Sequence, residues 1–433
     1  MKKIFRKIHL WLSVPFGIFI TLICFSGAML VFEKEITELC RPDIYFVKEV
    51  KEKPLPIDNL LESVSATLPD SVTVTGVTVS PEAERTWQVS LSKPRRASLY
   101  VNPYTGEVTG RSERLPFYDT MFHLHRWMMG SSTGFGKLLV GVSTLMLVLI
   151  LLTGILMWLT NKNKPLRKSL TISFTKGWPR FWHDLHVAGG IYATLFLLAI
   201  ALTGLTWSFS WYRTGFYSLF GVEASAEGNS RHGGNRATAD ESVRSENARS
   251  ERRGDRHDGV VQTERGNADA ESTENRSRHG RGGRGKHLEG DSADRPARHH
   301  RQDSLRMSPF AHWQEVYEAL AQSHPGYRQI TLSGGSASVV PAGRNSLRAG
   351  DRFDFDTKSG RITGHTSYAE QDKSTHLRSA VYTVHVGSWG GLLTRIITFF
   401  AALLGATLPL TGYYLWIRRL RGKSKRNHQQ PEA

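Results

Sequence analysis

The sequence predicts a membrane α-helical fold: four transmembrane helices built as a duplicated two-helix unit, with two small α+β modules outside the membrane. Three observations predict it: four long apolar stretches, three basic segments at their ends, and an internal repeat over most of the chain. The average composition hides this pattern, because 433 residues with 22% charged and 40% hydrophobic residues resemble a soluble basic protein. Those averages mix the apolar stretches with one very polar tract.

Four stretches are long and apolar enough to cross a bilayer, for which about 20 residues suffice. They run over about Leu10–Phe32, Leu138–Thr160, Val187–Phe209 and Leu392–Trp416, and none carries a charge in its middle. Tryptophans stand near their ends, as in the aromatic belts of membrane proteins. A cleavable signal peptide is the alternative for the first stretch, but its apolar run exceeds the roughly 7–15 residues of a signal sequence. We therefore predict a retained span.

Basic residues mark one side of the predicted bundle. Four precede the first span, six lie in residues 161–182, and six lie in residues 418–433. By the positive-inside rule these segments are cytoplasmic, which predicts a multi-pass protein of the inner membrane with both termini in the cytoplasm. Most of the net charge of +17 is thus a topology signal. Because no nucleic-acid-binding motif accompanies the charge, membrane lipid and not nucleic acid is the expected contact.

An internal repeat relates the two halves of the chain. The first and third spans each have a histidine 18 residues before a Ser-Gly or Thr-Gly glycine, about 27 Å along a helix and close to the hydrocarbon thickness. The second and fourth spans have a histidine 29 and 27 residues before such a glycine. The matching residues are His9 and Gly27, His186 and Gly204, His125 and Gly154, and His385 and Gly412.

The segment after each odd-numbered span is predicted to form a small module. Each opens with an amphipathic helix, continues with short strands, and ends in a hairpin whose glycine needs a positive φ. These features are Ile57–Leu68 and Ala311–Ser323 for the helices, 101–110 and 355–364 for the hairpins, and Gly106 and Gly360 for the turns. The resulting divisions are 1–33 (N-terminus and span 1), 34–120 (module 1), 121–160 (histidine segment and span 2), 161–182 (basic loop), 183–211 (span 3), 212–380 (module 2), 381–417 (histidine segment and span 4) and 418–433 (basic tail).

Residues 223–306 interrupt the second module. This tract has nearly equal numbers of basic and acidic residues and almost no large apolar ones, so we expect a disordered, solvated insertion. Its six histidines leave loose metal binding as an alternative.

Parallel copies of a two-helix unit would bring the histidines together in pairs, His9 with His186 on the cytoplasmic side and His125 with His385 on the outer side. Two opposed imidazoles can supply both axial ligands of a haem iron, and helix bundles build cofactor sites from facing side chains. Interfacial polar residues are the plain alternative, and a zinc site would need three or four close ligands. The second choices as ligands or haem contacts are His123, His183, Arg126 and Arg180.

The segments IHLWLSVPFG with SGAMLVFE, LHRWMMG with LTGILMWL, LHVAGGIYA with LTGLTW, and VHVGSWGG with LTGYYLWI resemble the PepSY-associated transmembrane helix family, the PiuB-like, iron-regulated membrane proteins. The resemblance covers nearly the whole chain outside 223–306 and implies that the modules are PepSY-like. Family members characterised as inner-membrane ferric-siderophore reductases bind haem and reduce iron on the periplasmic side. The resemblance therefore implies two haem b groups, with His9, His186, His125 and His385 as the iron ligands.

Two functional hypotheses follow. The first is a b-type dihaem reductase that transfers electrons across the membrane to a periplasmic ferric siderophore for iron uptake. Because no Gly-rich dinucleotide fingerprint is present, its donor would be external, a quinol or a soluble reductase. The second is a non-enzymatic membrane accessory that binds chelates or peptides, or that regulates periplasmic proteases.

Overall fold

The computed structural model of the chain describes residues 2–94, 96–160, 170–222, 308–344 and 346–427. The predicted insertion 223–306 and most of the basic loop lie outside these residues. Four of the described helices are long and apolar enough to cross a membrane: Lys3–Leu30, Phe135–Leu159, Trp178–Ser208 and Gly391–Arg421. These match the four predicted spans, and large apolar side chains such as Trp11, Leu195 and Leu393 are exposed along them.

The described helices alternate between spans and shorter segments. In chain order they are α1 (Lys2–Leu30), α2 (Glu33–Cys40), α3 (Pro42–Tyr45), α4 (Ile57–Ala66), α5 (Pro116–Trp127), α6 (Phe135–Leu159), α7 (Trp178–Asp184), α8 (Gly190–Ser208), α9 (Ser210–Ser218), α10 (Trp313–Ser323), α11 (Lys373–His385) and α12 (Gly391–Asn427). A π-helical turn, Leu185–Gly189, joins α7 to α8, and a 3-10 turn, Tyr368–Glu370, precedes α11. The helix of the third span thus begins at Trp178, inside the segment predicted as a loop.

Eight strands form one antiparallel sheet among the described residues, in the order β4-β3-β2-β1-β5-β6-β7-β8. The strands are β1 (Val74–Val79), β2 (Trp87–Leu91), β3 (Ser98–Val101), β4 (Val108–Arg111), β5 (Gln329–Ser333), β6 (Ser336–Val340), β7 (Asp351–Phe355) and β8 (Ile362–Thr366). Each half of the chain supplies four consecutive strands. The sequence predicted two separate modules, but β1 pairs with β5, with Thr78 opposite Thr331, so the strands of the two halves share one sheet.

Period-two alternation explains why one face of this sheet is buried. Val77, Val79, Ile330 and Leu332 are fully buried on that face, where α4 and α10 cover the sheet with Leu60, Leu61, Val316 and Leu320. The opposite face carries short polar side chains, including the Thr78–Thr331 hydroxyl pair at 3.1 Å. The turn glycines have the predicted positive φ, +74° at Gly106 and +66° at Gly360.

The spans pack through small residues and backbone contacts. The α1 helix contacts α12 where the Tyr413 hydroxyl donates to the Val14 carbonyl at 2.6 Å and the Thr21 hydroxyl donates to the Ala406 carbonyl at 3.1 Å. At the end of α1 nearest the sheet, Glu35 of α2 pairs with Arg395 of α12. We call this end of the bundle the sheet side, and the end where α1 begins and α12 ends the terminal side.

Candidate functional site

The four predicted histidines lie in two pairs. On the terminal side, the ring centroids of His9 and His186 are 6.4 Å apart, with ring planes at 88°. On the sheet side, the centroids of His125 and His385 are 6.1 Å apart, with planes at 49°. Each pair takes one histidine from each half of the chain, the arrangement expected for parallel copies of a two-helix unit.

The local structure explains these positions. His9 lies on α1 and His186 on the π-helical turn, so both project at the terminal side. His125 lies in the last turn of α5 and His385 ends α11, the two short helices that precede the second and fourth spans. Four elements thus carry one member of the pairs each, and each pair joins equivalent elements of the two halves.

Each imidazole donates from Nδ1 to a backbone carbonyl of a neighbouring span, since a carbonyl oxygen can only accept. The acceptor is in every case three residues before the Ser or Thr of a Ser-Gly or Thr-Gly pair. The contacts are His9 to Ile150 (3.1 Å), His186 to Leu408 (3.1 Å), His125 to Ile23 (2.9 Å) and His385 to Ile200 (2.9 Å). This bond fixes the tautomer and leaves the Nε2 lone pair of each ring free to bind a metal.

The glycine of each Ser-Gly or Thr-Gly pair lies beneath an imidazole ring. An added Cβ would stand 2.7 Å from Cε1 of His125 at Gly27, 3.0 Å from Cε1 of His385 at Gly204, and 3.6 Å from Cε1 of His9 at Gly154. At Gly412 the distance to Cε1 of His186 is 3.4 Å. These glycines make room for the histidine rings.

The spacing within each pair suits one metal ion held between two imidazoles. A metal about 2 Å from each Nε2, on a straight line between the rings, places the ring centroids about 6.3 Å apart. The observed values, 6.4 Å and 6.1 Å, bracket that separation. Among the described residues no group of three or more His, Cys, Asp or Glu could hold a metal ion, so the histidines occur as pairs and not as zinc-type clusters.

The sheet-side pair is the more asymmetric of the two. The Trp207 ring packs edge-on against His385 at 5.0 Å, whereas the corresponding position after Gly27 is Leu30. Loss of hydration on burial lowers the pKa of His385 to about 4 and also lowers the pKa of His125. Both rings are therefore neutral at physiological pH, the form that ligates metals.

The second-choice residues lie outside the pairs. His123 contacts the Asp119 carbonyl and the Trp127 ring, and His183 contacts the Asp184 carboxylate at 3.2 Å. Arg126 lies over the rings of Phe122 and Trp127. Arg180 donates to Asp184 at 2.8 Å, an ion pair within α7. None of these contacts joins the four paired rings directly.

Two features of the site were not predicted from the sequence. The carbonyl acceptor and the glycine beneath each ring come from a neighbouring span. The sequence spacings instead related each histidine to the glycine of its own repeat unit. The buried carboxylate of Asp184, which His183 and Arg180 share beside the terminal-side pair, was also not predicted. A signal for the first was present: each pair of residues, Ser or Thr with Gly, occurs once per span, as often as the histidines do.

Four apolar spans, with one imidazole pair near each end, define a multi-pass membrane protein with two candidate cofactor centres. The family model for the PepSY-associated TM region matches residues 6–419, and the chain belongs to that family. No curated protein matches the sequence.

Proposed function

We propose that the protein is a transmembrane dihaem electron-transfer protein that reduces a ferric siderophore on the sheet side. The observation that carries the proposal is the pairing of four neutral-tautomer imidazoles at separations that suit one metal per pair. Membership of the PepSY-associated family supports the proposal, because the resemblance implies haem and siderophore chemistry.

The residues fit haem b as ligand sets. His9 and His186 would hold one group on the terminal side, and His125 and His385 would hold the other on the sheet side. Haem b bound in this way supplies one-electron redox chemistry. The contribution of the chain is to orient each ring through Nδ1, to leave Nε2 unprotonated, and to seat the ring over a glycine.

The overall reaction balances with an external donor. Each ferric chelate takes up one electron and becomes a ferrous chelate, from which iron dissociates more readily. A quinol releases two electrons and two protons, so one quinol serves two chelates, and a soluble reductase is the other class of donor. The donor would act on the terminal side, for which the basic residues there, such as Lys3, Arg6, Arg418 and Arg421, support a cytoplasmic location.

We infer further that the chain lies in the inner membrane, that its two halves arose by duplication, and that the four-stranded halves of the sheet are PepSY-like modules. The matching order of spans, short helices and strands in the two halves supports this inference. The two parallel copies would then meet along a pseudo-two-fold axis normal to the membrane, with the sheet in the periplasm.

The test is the absorption spectrum of the purified full-length protein, before and after reduction with dithionite. We expect two b-type haems in the wild type and one in each of the variants His385→Ala and His186→Ala. The matched control is His365→Ala, an exposed histidine of β8 outside both pairs, which should keep both haems. Loss of both haems in each single variant, or colourless wild-type protein from haem-replete cells, would refute the dihaem assignment and favour a non-enzymatic accessory.

The substrate is tested separately. Reduced protein mixed with a panel of ferric siderophores in a stopped-flow spectrometer should reoxidise with at least one of them, forming one ferrous ion per electron lost. If haem is present but no chelate reoxidises it, the protein is an electron carrier with another acceptor.

A further inference from the structure

The loop between β6 and β7, described at residues 341–344 and 346–350, runs along the helix that ends at His385. Three of its residues approach α11 or its preceding turn in register. Arg344 lies over the ring of Tyr368, which packs on His376 at 4.4 Å. The Ser346 hydroxyl is 3.3 Å from the Ser379 hydroxyl, one helical turn further on.

The third contact reaches the turn before the sheet-side pair. Arg348 stacks on Tyr382, with its guanidinium carbon 3.8 Å from the ring centroid. Tyr382 is three residues before His385, about 4.5 Å along the helix axis. The loop therefore stacks one guanidinium on a residue that lies one helical turn before a proposed sheet-side ligand.

Both guanidinium groups keep their hydrogen-bonding capacity for a ligand. Arg344 and Arg348 are exposed, and neither forms an ion pair with a carboxylate of the described residues. The nearby carboxylates serve local structure instead: Asp351 accepts from the Tyr368 backbone at 2.6 Å, and Glu370 accepts from the Ser367 backbone at 3.1 Å. Stacking on tyrosine holds the planar fork in place, so less side-chain entropy is lost when it binds an anion.

The chemistry of the two guanidinium groups favours an anionic ligand. A stacked guanidinium binds carboxylates in a bidentate manner. Because the two arginines are four positions apart in the loop, their Cα atoms are at most about 14 Å apart, and their side chains can engage different edges of one chelate. The aromatic rings beside them suit the apolar body of an organic ligand. A positively charged chelate would be repelled by the same two groups.

We propose that Arg344 and Arg348 form a docking surface for an anionic ferric chelate that bears peripheral carboxylates, beside the sheet-side histidine pair. The inference rests on the proposed function, because it names the substrate class of the same site. The corresponding loop of the first half, residues 92–97, is four residues shorter.

The experiment measures docking without electron transfer. Gallium(III) has the charge of ferric iron and is not reduced, so gallium citrate is an anionic probe whose binding to the full-length protein in zwitterionic lipid nanodiscs can be followed by calorimetry. We expect roughly fivefold weaker binding for each of Arg344→Ala and Arg348→Ala, as for the loss of one well-placed charge contact at an exposed site. Arg348→Lys keeps the charge but not the planar fork, and should fall between the wild type and Arg348→Ala.

The matched control is Arg361→Ala, which removes the same charge from the exposed β7–β8 hairpin of the same half. It should bind gallium citrate like the wild type. The positively charged gallium complex of a hydroxamate chelator should not lose affinity in any variant, and binding of the citrate complex should weaken as salt is raised.

Three results would overturn the inference: no binding of gallium citrate to the wild type, equal affinity of wild type and double variant, or equal losses for the anionic and cationic probes. A further arm repeats the titrations in nanodiscs that contain phosphatidylglycerol. If this anionic lipid abolishes gallium citrate binding to the wild type, and does so through Arg344 and Arg348, the surface is a lipid headgroup site and the inference is overturned. Because gallium binding needs no redox step, these failures are distinct from a missing haem spectrum, which would refute the proposed function.

Discussion

Replacing Gly27 by alanine tests the seating of the histidine rings, with Gly154→Ala as a matched control. The new Cβ would stand 2.7 Å from Cε1 and 3.0 Å from Nδ1 of His125. Ordinary carbon contacts need about 3.5–4.0 Å, so the ring must retreat from α1 by about 1 Å. The 2.9 Å hydrogen bond from Nδ1 to the Ile23 carbonyl would then exceed the normal limit of about 3.2 Å.

Haem should be lost from the sheet-side centre only. Loss of the hydrogen bond that orients a metal-bound histidine costs about 10–100-fold in metal affinity, so the sheet-side centre of Gly27→Ala should bind haem more weakly by about this factor and lose it at haem concentrations that keep the terminal-side centre filled. At Gly154 the added Cβ would be 3.6 Å from Cε1 of His9, an ordinary contact, so Gly154→Ala should keep full occupancy. Alanine is intrinsically better than glycine in a helix by about 0.5–1 kcal/mol, so neither variant is weakened by backbone propensity.

The assay is haem content by pyridine haemochrome together with a redox titration of the purified variants, in which the terminal-side centre of Gly27→Ala serves as an internal control. Equal haem content in the two variants, or loss confined to Gly154→Ala, would refute the seating argument even if both haems are present in the wild type.

Three further predictions concern other parts of the fold. Gly76→Ala places a Cβ 2.7 Å from the Leu332 carbonyl across the β1–β5 contact, so amide hydrogen exchange of β5 should accelerate, whereas Gly215→Ala, with nothing within 4 Å, should leave it unchanged. The hydrogen bond from Arg395 lowers the pKa of Glu35, so this carboxylate stabilises the fold above its unfolded pKa, and the stabilisation is lost as the pH falls through the lower folded pKa. Glu35→Gln should therefore cost about 1 kcal/mol at pH 7 and nothing well below pH 4. Thermal unfolding of the protein at the two pH values measures the difference. The perpendicular rings of His9 and His186 predict a highly anisotropic low-spin ferric EPR signal that His186→Ala removes and His385→Ala retains.

The pairing of the histidines could be predicted because it depends on simple lengths. A helix that must cross the bilayer fixes which side each of its ends reaches, so His9 and His186 had to share one side, and His125 and His385 the other. The strands and turn glycines of each half follow local alternation and turn chemistry, which are also visible in a sequence.

The rest of the fold and of the candidate site depends on contacts between residues far apart in the chain. That β1 pairs with β5 is set by a match between Thr78 and Thr331, more than 250 residues apart, and no local pattern specifies it. The carbonyl that orients His125 belongs to α1, because α5 packs against that span. No local sequence pattern specifies this tertiary contact. Likewise, the buried Asp184 can be recognised only once Arg180 and His183 are seen to share it.

The distribution of symmetry in the molecule bears on how it works. The ring, carbonyl and glycine arrangement occurs four times with little variation, as expected for a part whose task, holding a ligand, is the same at every position. The features that break the two-fold relation are Trp207 on the sheet side, the Asp184 group on the terminal side, and the Arg344–Arg348 loop. The proposed two-fold axis along the membrane normal relates the two halves of the chain and leaves the two faces of the membrane different. A donor or acceptor that binds one half in preference to the other should therefore contact the residues that differ between the halves.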